Sequence, residues 1–500
     1  MKPARGGALV AASLAAAVAA TFAEALTSSR VFYQRDIHAY WWAHAEVLRR
    51  AVAEGSWPLW NPWEGFGAPL LADASFQLAY PPTWLAFLLE PAVRFKALTI
   101  GHCLLAALGA CALARRLGLG WAAAGTAGAA YALSGPLLSA ASLWHHYAGA
   151  AWLPWLLFAL EGLVRRPGLA ASLPLGLVAG AQLAAGSGDL CLAGAILGTG
   201  RLAWHLVHGR PGPRRVVALG ASGAAAAALA LCLGAAQWLP TAERARDGFR
   251  AVLDARTNAY WSLHPGALAD LAVPRVVTDL PLSEPARQAL FEGREPFLAC
   301  VYLGLATLAL GALGLALRPR LAAVPAAGAA FLVVTALGRH TPVYGLLLGL
   351  PGFGLMRYPQ KFLWPAALCG AVLAAIGTEA WVSRCSGAER RRARLVGAEQ
   401  RLAASELNVG REVEQAWYGL TNANQRVTAG EVSVRAAENA LAAARERYTD
   451  EVAIITEITD AELALRRARA NLVQARFDRM VSYYSLLSAA GRDLLAELGS

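Results

Sequence analysis

A carboxylate just beyond an apolar helix can be solvated on one side and held by loop backbone on the other, which suits a general base acting at a membrane surface. Asp36 is such a carboxylate. It follows the first apolar run, Gly7–Leu26, in the segment Arg35-Asp36-Ile37. Two cations four residues apart, Arg357 and Lys361, stand at the mouth of the last apolar run and suit a phosphate, with the Arg offering a bidentate fork. Trp60-Asn61 and Trp261 present flat ring faces and amide groups, and His145-His146 form a short polar step between apolar runs. Each has a plainer reading: a charge kept in water, a snorkelling cation, or an interfacial aromatic anchor.

The elements that carry these residues follow from composition. The 500 residues are 57% hydrophobic and only 16% charged, with mean hydropathy +0.41. Soluble domains carry roughly 25% charged residues, so the chain is neither an ordinary soluble protein nor disordered. Ten apolar runs have roughly spanning length: 7–26, 97–114, 121–141, 147–164, 169–186, 190–207, 216–239, 297–317, 321–337 and 361–381. The stretch 78–89 is too short and holds Pro81-Pro82, so a re-entrant or interfacial segment is expected there. The net charge of +11 is spread in clusters between the runs, which excludes a nucleic-acid surface. The seven cysteines lie in or beside apolar runs without metal-ligand spacing, so they read as small hydrophobes.

The clusters obey the positive-inside rule. With the N-terminus inside, Arg115-Arg116, Arg165-Arg166, Arg210/Arg214/Arg215, Arg318/Arg320 and the arginines from Arg384 to Arg394 are all cytoplasmic. The short outside loops 142–146 and 187–189 carry no Lys or Arg. Three longer segments, 27–96, 240–296 and 338–360, are then outside, and they hold Asp36, Trp60, Asn61 and Arg357. Lys361 opens the last run.

An ordered series of short stretches runs through residues 1–385. It begins with Arg35-Asp36-Ile37, Pro58-Leu-Trp60-Asn61-Pro62, Gly67-Ala-Pro69 with Ala72-Asp73, and Tyr80-Pro81-Pro82. It continues with Tyr131-Ala-Leu-Ser-Gly135, Ala151-Trp-Leu-Pro-Trp155, Gln237-Trp-Leu-Pro240 with Glu243, and Trp261-Ser-Leu-His-Pro265. Leu337-Gly-Arg-His-Thr-Pro342 and Arg357-Tyr-Pro-Gln-Lys-Phe362 close it. This half resembles the YfhO-like bacterial multipass membrane proteins, grouped with GT-C-fold glycosyltransferases. The resemblance implies sugar transfer from a polyprenyl-phosphate-linked donor at the outer face of the bacterial inner membrane. Asp36 would be the catalytic base or a metal-linked carboxylate. Trp60, Asn61, Arg357 and Lys361 would bind the substrate. No acidic residue adjoins Asp36 in the sequence, so a divalent metal has no support there. The partners expected are the bilayer and the lipid-linked donor.

Composition changes at Ser386, after which proline is absent and charge is frequent. Val413, Ala416, Leu420, Ala423, Val427, Gly430, Val434, Ala437, Leu441, Ala444 and Tyr448 follow a 3,4 alternation. It resumes as Ile454, Ile458, Ala461, Leu465, Ala468, Leu472 and Ala475. This predicts an antiparallel coiled-coil hairpin over 386–500 with its tip at 449–453. The Ala-rich seam buries little area, so a helical partner or self-association through 393–490 is expected.

Ala416-Trp-Tyr418, Ala440-Leu441, Arg447-Tyr448, Glu457-Ile458, Asp460-Ala-Glu462 and Tyr484 make the tail similar to the periplasmic hairpin of TolC-like outer-membrane efflux proteins. Ten spans leave the tail inside, whereas that resemblance puts it in the periplasm; a miscounted span, a cytoplasmic coiled coil or, the favoured reading, a chimera of two gene pieces would reconcile the two. The overall expectation is an all-α chain: a GT-C-like domain of about ten transmembrane helices over 1–385, then the hairpin. Its function is glycosyl transfer, with an efflux component or a non-catalytic membrane scaffold as the alternatives.

Overall fold

The computed structural model describes residues 3–33, 36–248, 254–277, 283–291, 294–350, 353–385, 388–449 and 455–492. Arg35 and all of the expected tip except Thr449 lie outside the described residues. The described chain is all-α apart from one two-residue antiparallel pair, β1 (Trp60–Asn61) with β2 (Ala68–Pro69). It divides into two compact units, Met1–Arg384 and Cys385–Ser500.

Unit 1 is built from eleven principal helices. They are α1 (Pro3–Thr21), α2 (Trp42–Ala53), α3 (Pro91–Arg116), α4 (Trp121–Ala132), α5 (Trp144–Arg165) and α6 (Leu169–Ala184). After these come α7 (Gly188–Gly209), α8 (Pro213–Asp247), α9 (Leu305–Leu317), α10 (Pro319–Ala336) and α11 (Leu363–Arg384). Six of them, α3, α5, α7, α8, α10 and α11, are long and apolar enough to cross a membrane. Helix length and composition thus support six of the ten spans expected from the apolar runs.

The other four runs form shorter helices, for local reasons. The run 121–141 breaks where Ser134 caps a new short helix, Gly135–Ser139, with Pro136 in its first turn. In 297–317 the chain stays irregular up to Gly304, whose φ of 98° is left-handed, and α9 has only 13 residues. The helix α6 ends before Gly186, where φ is +79°. In the first run α1 ends at Thr21, and a separate short helix, Ala23–Thr27, follows it.

The centre of unit 1 is α11, which packs on α9, α4 and α10, while α3 packs on α5 and α6 on α8. Trp364, Leu368, Ala371 and Ala374 on α11 are fully buried. At the outside of the bundle, only 17% of the most apolar stretch of α7 and 22% of those of α8 and α10 are buried. Exposed apolar area on this scale is unfavourable in water. It is consistent with a membrane-embedded chain.

Unit 2 pairs α12 (Ala388–Thr449) with α13 (Ile455–Ala489). The helices run antiparallel, as shown by the ion pairs Glu431–Arg476 at 3.1 Å, Glu438–Arg469 at 2.8 Å and Arg445–Glu462 at 2.9 Å. Ala423, Val427, Leu441, Ala444, Leu465, Ala468 and Ala475 are buried between them.

The crossing of α9 and α11 depends on small residues, which let two backbones approach closely. A Cβ on Gly377 would collide with the Leu310 carbonyl, and one on Gly314 would lie 2.8 Å from the Leu373 carbonyl oxygen. Gly377→Ala is therefore expected to cost about 1–3 kcal/mol by overpacking. Gly370→Ala, whose Cβ meets only Leu303 at 3.9 Å, is expected to be neutral. Thermal unfolding in detergent compares the two, and equal midpoints would contradict so close a crossing.

Candidate functional site

One polar cavity of about 500 Å³ opens where the irregular segment after α2 meets α5, the α6–α7 turn and the end of α8. Asp36, Tyr40, Asp73, Ser75, His145, Thr241 and Arg244 line it. A π-helical turn, Ile37–Trp41, leads into α2, and Asp36 stands at its start without capping it through its side chain. The Asp36 carboxylate is exposed and on the cavity wall.

Asp73 is held more tightly. Its Oδ1 accepts the Ser75 amide at 3.0 Å and the Ser75 hydroxyl, so it caps the short turn Ala74–Phe76. Its Oδ2 accepts Arg244 Nη1 at 3.0 Å, with the Tyr40 hydroxyl at 3.4 Å. Burial works to raise the Asp73 carboxyl. The Ser75 hydroxyl and amide and the Arg244 guanidinium outweigh it and hold the carboxyl below its usual range. Burial, with the Asp73 charge beside it, pushes the Tyr40 hydroxyl well above the ordinary phenol range. Tyr40 therefore stays protonated and can donate.

The turn is clamped from both sides. Gln77 takes a left-handed φ of 58° and donates its Nε2 to the Ala185 carbonyl at 2.7 Å. The next residue on that wall, Gly186, has φ +79°, and a Cβ there would collide with the Ala74 carbonyl. From the other side Gln237 of α8 donates to the Leu71 carbonyl at 2.9 Å. Arg244 lies two turns further along α8 and so meets Asp73.

The sequence-expected residues divide. Asp36 is in the cavity, and Trp60, Asn61, Arg357 and Lys361 are not among the residues lining it. Trp60 is exposed and packs its indole on Gly67 across the β1–β2 pair. Asn61 is 3% exposed and organises its own turn, accepting the Trp63 amide at 3.1 Å and donating to Glu64 at 3.3 Å. Lys361 is buried and ion-paired with Asp189. His146 Nε2 is 3.8 Å from that carboxylate, and its Nδ1 is 3.1 Å from the Ser187 hydroxyl. Arg357 is half-buried, 4.9 Å from the Tyr358 ring centroid. Of the two histidines only His145 faces the cavity.

Asp73 and Arg244 are the functional groups the sequence reading passed over. They lie 171 residues apart. The one available signal was that Ala72-Asp73 and Gln237…Glu243 stood in the same ordered series. Among the described residues no three His, Cys, Asp or Glu side chains converge as metal ligands. With Asp73 already committed to Ser75 and Arg244, the residues present do not fit a divalent cation.

No protein-family model, curated protein or solved structure matches the chain.

The Asp73 pair carries a pH signature. Its folded pKa is depressed, so its stabilisation is complete above the unfolded carboxylate value of about 3.9 and is lost as pH falls through the lower folded value. The gap in thermal midpoint between wild type and Asp73→Asn should be wide at pH 7 and should narrow below about pH 4. A gap that does not change with pH would show that the charge on Asp73 contributes nothing.

Proposed function

We propose that unit 1 transfers a sugar from a polyprenyl-phosphate donor to an acceptor hydroxyl at the extracytoplasmic face of the bacterial inner membrane. The observation that carries this reading is the shared cavity, in which the exposed carboxylate of Asp36 and the guanidinium of Arg244 line one water-accessible space. Asp36 takes the acceptor's proton as its oxygen attacks the anomeric carbon. The bond from that carbon to the phosphate oxygen breaks, and the polyprenyl phosphate leaves with the electron pair. Arg244 holds the leaving phosphate, an acceptor suited to its forked donors. Asp73 and Tyr40 position Arg244. No step runs through a metal.

This reading moves the phosphate from Arg357 and Lys361 to Arg244, because Lys361 is buried against Asp189 whereas Arg244 is half-exposed on the cavity. Transfer from a polyprenyl-phosphate-[14C]glucose probe in membrane vesicles tests it. Asp36→Asn should lower kcat at least a hundredfold, the scale of a lost general base. Arg244→Gln should raise the donor KM about tenfold, equivalent to about 1.4 kcal/mol, with Arg357→Gln and Lys361→Gln changing it less. Full transfer by Asp36→Asn removes Asp36 as the base and sinks the proposed mechanism, and no transfer by wild type leaves a non-catalytic scaffold. The opposite ranking of the cations returns the phosphate to Arg357 and Lys361.

A second reading belongs to unit 2. The buried small-residue row and the cross-helix ion pairs support a coiled-coil hairpin like those of TolC-like efflux proteins. The exposed Leu402, Val409, Trp417, Val473 and Phe477 support a helical partner or self-association for it. A tag after Ser500 should then be reached by a membrane-impermeant label from the periplasm. Labelling only after the inner membrane is opened would make the tail a cytoplasmic helical pair and remove the efflux role.

A further inference from the structure

A second cavity, of about 220 Å³, lies between α5, α7, α10 and α11. It is set among the ends of α5, α7 and α10 that carry Arg165, Arg201 and Arg320, the end that the arginine pattern puts in the cytoplasm. Most of its wall is apolar, with Leu157, Leu197, Val324, Leu368 and Val372 among the lining side chains. It exceeds the ~150 Å³ of an apolar cavity that admits benzene. Helices in lipid normally close such gaps by packing small residues together. This gap stays open beside a cluster of charge.

Glu161 forms the centre of that cluster, with its carboxylate only 6% exposed. Arg201 donates to both its oxygens, at 2.9 and 3.0 Å, and Arg165 reaches it at 3.3 Å. Arg320 lines the same cavity. Three guanidinium groups and one carboxylate therefore line the same cavity, a surplus of two positive charges at the edge of an apolar cleft. Arg165 is not needed as a helix cap, because Arg215 donates to the Val164 and Arg165 carbonyls at 3.1 and 3.0 Å. The companion Arg116 is occupied 4.0 Å from the Phe158 ring centroid. Trp204, whose ring is half-buried, completes the rim.

An apolar slot under an uncompensated guanidinium group is complementary to one kind of molecule, an amphiphile with an anionic head. Basic pockets between helices on the cytoplasmic side take phosphate headgroups in this way. We propose that this cleft holds an anionic phospholipid of the inner leaflet, one acyl chain in the apolar part and its phosphate on Arg165, Arg201 and Arg320. The forked donors of arginine match two phosphate oxygens at once. Zwitterionic lipids bring their own cation and so gain less from the surplus. The site is independent of the Asp36 cavity, and its failure would leave the transfer reading intact.

Native mass spectrometry of the full chain, delipidated in detergent and offered equimolar dioleoyl-phosphatidylglycerol and dioleoyl-phosphatidylcholine, tests the proposal. One phosphatidylglycerol should be retained at least fivefold over phosphatidylcholine. The double variant Arg165→Gln/Arg320→Gln, which leaves the Glu161–Arg201 pair in place, should bring retention to the phosphatidylcholine level. Val324→Phe, which fills the slot without changing charge, should reduce it as well. Equal retention of both lipids by wild type, or phosphatidylglycerol binding that neither variant changes, would overturn it. Displacement of the lipid by millimolar glycerol phosphate would overturn the lipid assignment, because the head alone would then suffice.

Discussion

A backbone carbonyl without a donor in an apolar interior costs more than most contacts in that interior contribute. Unit 1 meets this constraint with side chains that reach across to carbonyls on distant segments. Trp364 donates to Pro136 at 2.9 Å, Tyr131 to Ala150 at 2.8 Å, Tyr147 to Thr99 at 2.9 Å and Gln182 to Gly149 at 2.9 Å. Each bond joins two helices, and at Ala150 it replaces the ladder bond that Pro154 cannot donate. Because no water competes in such a setting, each bond fixes a relative position as well as satisfying a group. The rest of the unit is arranged around these fixed points.

The polar cavity is a consequence of the same device applied to a loop. Residues 54–90 are nearly without long helix, so many of their carbonyls need outside donors. Gln77 and Gln237 each serve as a tie between this segment and a helix or its turn, Gln77 to the end of α6 and Gln237 from α8 to the loop. The turn between these ties can have only one placement, and Asp73 lies within it. Arg244 arrives from α8, the same helix that carries Gln237. Loop residues thus gain the positional definition of helices, as a catalytic or binding group requires.

Much of this was legible in the chain because periodicity is local. The 3,4 spacing in the tail picked out Ala423, Val427, Leu441, Ala444, Leu465, Ala468 and Ala475, and all seven are buried. The ten apolar runs each coincide with helical structure, but length was misjudged where punctuation lay inside a run. Ser134-Gly135-Pro136 and Gly304 end helices that hydropathy alone would extend. Asp36 was legible because it stands next to an apolar run. Asp73–Arg244 and Glu161–Arg201 were not, since partners 171 and 40 residues apart leave no trace in spacing. Lys361 shows the converse: its position at the start of the last run suggested a free cation, and only the fold brings Asp189 to it.

The two ion pairs of α7, Asp189–Lys361 and Arg201–Glu161, are better understood through that helix than through stability. Removing two charges from water consumes most of what their attraction returns, so such a pair adds little net free energy compared with apolar side chains of the same shape. A pair can still specify a position, because a misplaced partner leaves a buried charge uncompensated. The helix α7 is the least buried of the six long apolar helices, so apolar packing constrains it the least. Asp189 in its first turn pairs with Lys361, and Arg201 in its second half pairs with Glu161 of α5. With one pair toward each end, neither rotation of α7 nor sliding along its axis can keep both charges matched. The charges thus set the position that lipid-facing side chains leave open, and both cavities, which lie beside the two ends of α7, inherit their shape from it.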